Sequence, residues 1–236
     1  MQSYTRHQLK EDKFQEVTRG AIAQAQAHRH GLTVAGIAVL VGVIVLGGFG
    51  YWRNLQDEEA SVGVGQAMNT FSAPIRSQDS VPDPSIVSFS TTAERDKQAE
   101  KQFQAIADKY AHTDSGKNAL YMIGVVALDA GDYATAEAKF KKAADVGNKE
   151  IASLAKLGLA STYEATNRDQ NAIDIYNELI KKPTASVSRE RAQFALASVY
   201  EKKDPAQAKK IYDQLATDKS PTVAQIAKTR QSELKQ

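Results

Sequence analysis

The chain has no cysteine, which excludes disulfide bonds and thiol catalysis. It also has little excess charge, because 30 basic and 28 acidic residues leave a net charge of +2. A nucleic-acid-binding protein usually carries a clustered basic face, whereas the charged residues here are interspersed along the chain. The composition therefore argues against a nucleic-acid partner.

Residues that carry catalysis or bind metals are also scarce. His28 and His30, two of the four histidines, point to different sides of a helix and make a poor metal pair. A place at a membrane surface beside Arg29 suits them better. The motifs HExxH and GxSxG and the phosphate-binding loop do not occur. We therefore expect no enzyme activity, no catalytic residue, no metal site and no cofactor.

Charge is absent from residues 31–52, which form one almost wholly apolar run, GLTVAGIAVLVGVIVLGGFGYW. At about 1.5 Å per residue, such a helix is about 33 Å long, which is enough to cross a hydrocarbon core of about 30 Å. A helix also satisfies its own backbone hydrogen bonds, which lipid cannot do. The run therefore predicts one transmembrane helix at 31–52, in contact with the lipid bilayer.

A cleaved signal peptide is the alternative for this run, and it fits less well. The apolar core of a signal peptide is typically about 7–15 residues long and is followed by small residues at a cleavage site. This run is longer and ends in Tyr51-Trp52-Arg53, a combination that anchors a retained helix at the lipid–water interface. We therefore expect the helix to be retained.

The distribution of basic residues predicts the orientation. Lys13, Arg19 and Arg29 precede the apolar run, whereas Arg53 follows it and is itself followed by the acidic residues 57–59. Basic residues near the ends of a membrane helix favour the cytoplasmic side. We expect a bacterial inner-membrane protein with a single span, a cytoplasmic N-terminus and a periplasmic C-terminal domain.

Composition divides the rest of the chain. Residues 54–71 have a helical pattern that Gly63 and Gly65 weaken. Residues 72–93 contain three of the six prolines and many serines, and predict a long loop. The expected regions are a cytoplasmic segment at 1–30, the transmembrane helix at 31–52, a linker helix with a Pro/Ser-rich loop at 53–93, and a repeat domain at 94–236.

The C-terminal region contains an internal repeat. An alanine is followed four residues later by an aromatic residue and three later by a further apolar residue, and the alanines are 37, 36 and 36 residues apart. The four sets are Ala99, Phe103 and Ile106; Ala136, Phe140 and Ala143; Ala172, Tyr176 and Leu179; and Ala208, Tyr212 and Leu215.

This spacing has a physical reason. Positions i, i+4 and i+7 lie on one face of a helix, where the alanine allows a paired helix to approach and the aromatic fills the space between successive pairs. One helix pair cannot bury its apolar stripe alone, so several pairs stack. The pattern predicts an all-α fold, an α-solenoid of antiparallel helix pairs that follows the transmembrane helix. A generic amphipathic helical bundle is the alternative.

The repeat resembles the tetratricopeptide repeat. The copy from Lys117 to Asn148 matches that family at nearly every position, and two later copies begin near Ser153 and before Leu196. Residues 55–71 are expected to supply the missing first helix for the set at Ala99, and Pro221 is expected to start a helix that caps the stack. The residues that carry the resemblance are Leu120, Ile123, Gly124, Gly131-Asp132-Tyr133, Leu159, Ala160, Tyr163, Asn167, Leu196, Ala197 and Tyr200.

Stacked helix pairs curve, and the first helix of each pair lines the concave face. Apolar and polar groups mixed along such a groove suit an extended or helical segment of another protein. The repeat positions that face this groove are Asn118, Tyr121, Met122, Val125 and Asp129 in one copy, Leu154, Leu157, Ser161 and Glu164 in the next, and Arg191, Phe194, Ser198 and Glu201 in the last.

The order of segments adds a second resemblance, over roughly residues 11–230. A short start, one span ending in Tyr51-Trp52-Arg53, then Ala60-Ser61, a loop and degenerate repeats looks like the ancillary subunit of the bacterial Sec translocon. The resemblance implies a non-catalytic adaptor that binds other proteins: the Sec channel, a membrane-anchored periplasmic chaperone and exported clients.

Two other classes of function remain open. The repeats could serve as a structural scaffold subunit of another bacterial membrane complex, which predicts fixed stoichiometry in one stable assembly. The chain could also be an enzyme or a cofactor carrier, which a metal or pigment in the purified protein would indicate.

Overall fold

The computed structural model describes residues 29–77 and 87–234. The predicted cytoplasmic segment up to residue 28 and the middle of the predicted loop, residues 78–86, lie outside the described residues. Within the described ranges the regular structure is helical. The helices are α1 (Arg29–Phe71), α2 (Thr92–Lys109), α3 (Asp114–Asp129), α4 (Tyr133–Ala144), α5 (Lys149–Ala165), α6 (Asp169–Lys181), α7 (Arg189–Lys203), α8 (Pro205–Leu215) and α9 (Pro221–Glu233).

The chain divides into two units, Met1–Arg53 and Asn54–Gln236. In the first unit, the described residues belong to the first part of α1. Their large apolar side chains, from Val34 to Trp52, are all between 46% and 73% exposed. Of the described helices, α1 is the one that is long and apolar enough to cross a membrane, by length and composition alone.

In the second unit, the last part of α1 packs against α2. Ala60 and Ala67 are completely buried, and a Cβ atom added to Gly63 would lie 3.2 Å from the Ile106 side chain. The helix continues through Gly63. Because glycine has no side chain, the Ile106 side chain of α2 can approach α1 closely at this position. Residues 55–71 therefore provide the first helix for the set at Ala99, as the repeat spacing predicted.

The predicted loop between α1 and α2 is closed at its base. Ile75 and Phe89 form an isolated parallel bridge, in which the Arg76 N–H donates to the Phe89 carbonyl over 2.9 Å. The Phe89 N–H donates to the Pro74 carbonyl over 3.1 Å. After this bridge, the Thr91 side chain caps the start of α2 by accepting from the Glu94 N–H.

The remaining helices form consecutive pairs, each packed on the next from α2 to α9, and α3 also contacts α5. Side chains cap most of these helices, as with Thr113 before α3 and Asn148 before α5. Gly131 and Asn167 have φ of +77° and +58° in corresponding turns, where the sequence predicted them. The all-α solenoid is confirmed.

The core is built from the repeated residues. The four alanines of the repeat sets are completely buried, and the four aromatics are at most 2% exposed. Phe140 lies against Gly124 of α3 on one side and Gly158 of α5 on the other, so it joins two successive helix pairs. At the C-terminal end, α9 packs Ala227 against the cluster of Ala208, Tyr212 and Leu215.

Candidate protein-interaction surface

The first helices of three successive pairs, α3, α5 and α7, bring most of the predicted groove residues to one surface. We call this surface the first-helix face. It consists of Asn118, Tyr121, Val125, Leu154, Leu157, Ser161, Arg191, Phe194 and Ser198, each of which is half-buried or exposed.

The apolar members of the first-helix face rest on the core with one side and remain accessible on the other. The Tyr121 ring lies 5.8 Å from the Phe140 ring, and the Phe194 ring lies 6.1 Å from the Tyr212 ring, between centroids. Leu154 packs against the same core while staying half-buried. These contacts fix the side chains in place, so a partner would meet an ordered apolar surface.

The first-helix face also has polar members, which lie on the same helices as the apolar ones. The Arg191 Nη1 atom donates to the Ser186 carbonyl over 3.2 Å, and the side chain is exposed. Ser198 is also exposed, whereas the Ser161 hydroxyl donates to the Leu157 carbonyl over 3.2 Å within its own helix. Polar groups at the edge of an apolar patch are typical of protein-binding surfaces.

Arg191 of α7 acts electrostatically on Tyr121 of α3. Burial raises the pKa of the Tyr121 hydroxyl, and the positive charge of Arg191 opposes that rise. Tyr121 belongs to α3 and Arg191 to α7, so the two residues are close enough to interact although they are 70 positions apart.

Four of the predicted groove residues have other roles in the structure. Met122 is 8% exposed and belongs to the core, so it does not line the groove. Asp129 is exposed and forms an ion pair of 3.5 Å with Arg95, whose guanidinium group also lies over the Phe71 ring at 5.3 Å. The remaining two, Glu164 and Glu201, bind core tyrosines.

These two glutamates satisfy tyrosine hydroxyls that the repeat buries. Tyr176 donates its hydroxyl hydrogen to Glu164, and Tyr212 donates to Glu201 over 2.6 Å. Burial is the largest cause that raises the pKa of both tyrosines, and the hydrogen-bonded carboxylate adds to it. A buried hydroxyl without an acceptor is costly, so each carboxylate serves a core tyrosine, although both glutamates remain half-buried.

A signal for this pairing is present in the sequence, although sequence reasoning missed it. Copies with tyrosine as the core aromatic carry a glutamate 12 or 11 residues earlier. The copy with Phe140, which has no hydroxyl, carries Leu128 at the corresponding position. In these three copies, the residue near the end of the first helix is a glutamate where the core aromatic is tyrosine and an apolar residue where it is phenylalanine.

Sequence reasoning also missed Lys202. Burial raises the pKa of the Glu164 carboxyl, the Tyr176 hydrogen bond lowers it, Asp169 raises it, and the charge of Lys202 lowers it. Lys202 is exposed on α7 and lies near enough to α5 for its charge to act there. Its positive charge therefore partly offsets the Glu164 carboxylate.

Removal of the Tyr176 hydroxyl tests the inward role of Glu164. In the full-length protein in detergent, Tyr176→Phe is expected to lower the free energy of unfolding by about 1–2 kcal/mol near neutral pH, because a hydrogen bond to a charged group is lost. Urea unfolding followed by circular dichroism measures it. Tyr133→Phe, at a tyrosine that is 37% exposed, is the control and should change stability by less than about 0.5 kcal/mol.

The same variant should change the dependence on pH. The raised pKa of Glu164 means that the folded protein binds a proton that the unfolded chain does not, so stability falls as pH rises from 4.5 through the raised value. The Tyr176 hydrogen bond limits that rise in pKa, and Tyr176→Phe should therefore make the fall steeper. An unchanged pH profile would contradict the hydrogen-bonding role.

The described residues contain no group of three or more His, Cys, Asp or Glu side chains that could hold a metal ion. The arrangement of the first-helix face, with ordered apolar side chains and polar groups on the same helices, is one that binds protein segments. The fold is therefore an α-solenoid, and the first-helix face is its candidate protein-binding surface.

Comparison with known families agrees with this class. The tetratricopeptide repeat-like domain matches residues 26–175, and the tetratricopeptide repeat matches residues 191–218. The chain therefore belongs to the tetratricopeptide repeat-like domain family, whose members serve in protein–protein interactions. Comparisons with curated proteins and with solved structures gave no match.

Proposed function

We propose that this protein is a non-catalytic, membrane-anchored adaptor that binds protein segments on its first-helix face. The observation that carries the proposal is the face itself, where Tyr121, Leu154 and Leu157 are held in place by the core yet remain partly accessible. Stacked repeats form an extended surface of this kind, which is the part that repeat proteins use for binding.

The membrane anchor is supported by the first part of α1. Its large apolar side chains, from Val34 to Trp52, are exposed, and burial of such surface in lipid is strongly favourable. The match to the repeat-like domain begins at residue 26, so the apolar stretch falls within the matched region.

We further propose that the protein lies in a bacterial inner membrane with its repeat domain in the periplasm. The basic residues before the span and the acidic residues 57–59 after it support this orientation. The resemblance to the ancillary Sec subunit supports partners at the translocon: the channel, a membrane-anchored periplasmic chaperone and exported clients. The role would be to hold these proteins together near the channel exit.

Affinity purification of the full-length protein in mild detergent, followed by mass spectrometry, tests the proposal. We expect recovery of the Sec channel together with a periplasmic chaperone. The variant Ser198→Trp places a bulky side chain at an exposed position of the first-helix face and should lower chaperone and client recovery about tenfold or more. Contacts made by the transmembrane helix should be unaffected.

The matched control is Lys210→Trp, which places the same side chain at an exposed position of α8, a second helix. Equal losses in both variants would contradict a binding role for the first-helix face. Recovery of a single unrelated membrane complex at fixed stoichiometry would instead identify a scaffold subunit.

A further inference from the structure

The last part of α1 has one side that the folded domain leaves uncovered. Leu55 and Val62 lie on the same side of the helix, two turns apart, and are 44% and 59% exposed. Ala60 and Ala67, which face α2, are completely buried. We call the uncovered side the outer face of α1. It consists of Leu55, Glu58, Val62, Gly65 and Asn69, each of which is exposed.

The outer face lies at the start of the stack of helix pairs. The last part of α1 is the first helix of the first pair, and no earlier pair precedes it in the described residues. At the other end of the stack, α9 packs Ala227 against the last pair. The terminal helices of repeat proteins present a polar outer side because that side meets water. Two exposed apolar side chains at this end therefore indicate a surface that a partner covers.

Gly65 supports the same interpretation. Glycine is unfavourable within an exposed helix, because it loses more conformational freedom on folding than other residues do. Gly63 has a role inside the domain, since an added Cβ would lie 3.2 Å from the Ile106 side chain. A Cβ added to Gly65 would have no neighbour within 4 Å. Small residues let two helices approach closely, so the open space beside Gly65 suits a helix of another chain.

The outer face also carries a negative charge that the domain does not use. Of three consecutive acidic residues, Asp57 accepts from the Ser115 N–H over 2.8 Å, and Glu59 forms an ion pair of 3.1 Å with Lys109. Glu58, between them, is exposed. Within the described part of the chain, no hydrogen bond or ion pair holds the Glu58 carboxylate. It is therefore available to a partner.

This charge decides which kind of helix fits the outer face. Glu58 lies between Leu55 and Val62 along the face, so a helix that covers both apolar side chains also meets the carboxylate. A second copy of this chain, packed side by side on the same face, would bring two Glu58 carboxylates together. A lysine or arginine at that place would pair with Glu58 instead. Charge complementarity thus favours a basic helix over a second copy.

From these observations we propose that the outer face of α1 binds a helix of a second membrane-anchored protein, with apolar contacts to Leu55 and Val62 and a lysine or arginine opposite Glu58. Trp52, the last residue of the apolar run, precedes Leu55 by three positions in the same helix, which is about 4.5 Å along its axis. A helix that continues from a membrane span of its own therefore reaches this face directly. The proposal rests on the membrane anchor proposed above.

Photo-crosslinking of the full-length protein in its native membranes tests the proposal. p-Benzoylphenylalanine replaces Val62, and the matched control carries the same probe in place of Ile226, an apolar residue of α9 that is 46% exposed. We expect the probe at 62 to give about fivefold or more of one crosslinked product relative to the probe at 226. Mass spectrometry should map this product to a helix that follows an apolar span and carries lysine or arginine within one turn of the crosslinked residue.

Two substitutions on the outer face test the individual contacts. Glu58→Gln removes the charge and should lower the yield at 62 about threefold at low salt and less at high salt. Gly65→Leu fills the open space and should lower the yield about tenfold, although the purified protein stays folded because nothing lies within 4 Å of the added Cβ. Asp145→Asn, at an exposed acidic residue just after α4, is the charge control and should leave the yield unchanged.

The lack of native cysteine allows a second copy to be tested directly. Oxidation of the single-cysteine variant Val62→Cys in the same membranes should give no more disulfide-linked dimer than Ile226→Cys gives. Efficient dimer formation through residue 62 would overturn the proposal, because a second copy would then cover the outer face.

The proposal is equally overturned if the probe at 62 gives no specific product, if its products come from chains without a span, or if neither Glu58→Gln nor Gly65→Leu changes the yield. Ser198→Trp, on the first-helix face, should leave the crosslink at 62 unchanged. Carbonate extraction reports the anchor separately. A protein that stays in the membrane without forming the crosslink refutes this inference alone, whereas a protein released from the membrane refutes the proposed anchor as well.

Discussion

Replacing Gly116 with alanine is expected to destabilise the repeat domain by on the order of 3 kcal/mol. A Cβ atom at this position would overlap the carbonyl oxygen of Tyr110 and lie 2.5 Å from its carbonyl carbon. A backbone group cannot rotate away as a side chain can, so the turn between α2 and α3 must move. The loss far exceeds the gain of about 1 kcal/mol that alanine brings to a helix.

The turn is tightly held, which is why its movement is costly. The same Tyr110 carbonyl accepts from the N–H and the hydroxyl of Thr113, each over 2.9 Å. The Thr113 oxygen accepts in turn from the Gly116 N–H over 3.0 Å, and Thr113 is completely buried. Displacement of the carbonyl therefore breaks the cap of α3 as well.

Thermal and urea unfolding of the full-length protein in detergent measure this loss. Thr113→Ala removes the cap and the hydroxyl bond to the Tyr110 carbonyl but introduces no clash, and it should cost about 1–2 kcal/mol. Gly65→Ala is a second control, because no atom lies within 4 Å of its added Cβ, and it should stabilise by about 0.5–1 kcal/mol. If Gly116→Ala were no worse than Thr113→Ala, the close approach of the two backbones would be disproved.

The second large effect is expected at Gly158, where alanine should destabilise the domain by about 2 kcal/mol net of its helix propensity. The added Cβ would lie 2.5 Å from Cζ of Phe140 and 2.6 Å from Cε1. The ring has little room to move, because it also packs closely on Gly124 of α3, where an added Cβ would lie 2.7 Å from Cδ1 and Cε1. Phe140 itself is 1% exposed.

A double-mutant cycle attributes this loss to the ring. In the Phe140→Leu background, the smaller side chain leaves room for the new methyl group, so Gly158→Ala should cost much less than it does beside phenylalanine. The expected coupling energy is about 1–2 kcal/mol, measured by urea unfolding. Additive losses would mean that Gly158 acts through something other than contact with Phe140.

Sequence periodicity predicted the helical elements well because each repeat carries its own local signals. The alanine–aromatic spacing marks the second helix of a pair, and residues such as Gly131 and Asn167 end the first helix in a left-handed conformation. Pro205 and Pro221 lie at the start of α8 and α9, where proline has no hydrogen bond to lose. These signals act over a few residues and need no tertiary context.

The candidate site was predicted less completely, because contacts between helices that are distant in sequence determine which side chains are buried and which are accessible. Repeat position assigned Tyr121, Met122 and Arg191 to one groove alike, but it could not show that Met122 is buried or that the two glutamates accept hydrogen bonds from core tyrosines. Whether a side chain on a first helix contacts the core depends on the neighbouring helix, which offers a tyrosine hydroxyl to each glutamate and an apolar space to Met122. Lys202 was missed because lysine is common on exposed helices, and its sequence position does not reveal that it lies near Glu164.

The sequence by itself determined an all-α chain of repeated helix pairs preceded by one long apolar stretch, because periodicity, capping residues and hydropathy are local properties. The tertiary structure alone decided which polar side chains of the first helices serve the core. Glu164 and Glu201 accept hydrogen bonds from buried tyrosine hydroxyls, whereas Ser198 remains exposed. That division follows from the cost of leaving a buried polar group without a partner, which is set only once the helices have packed.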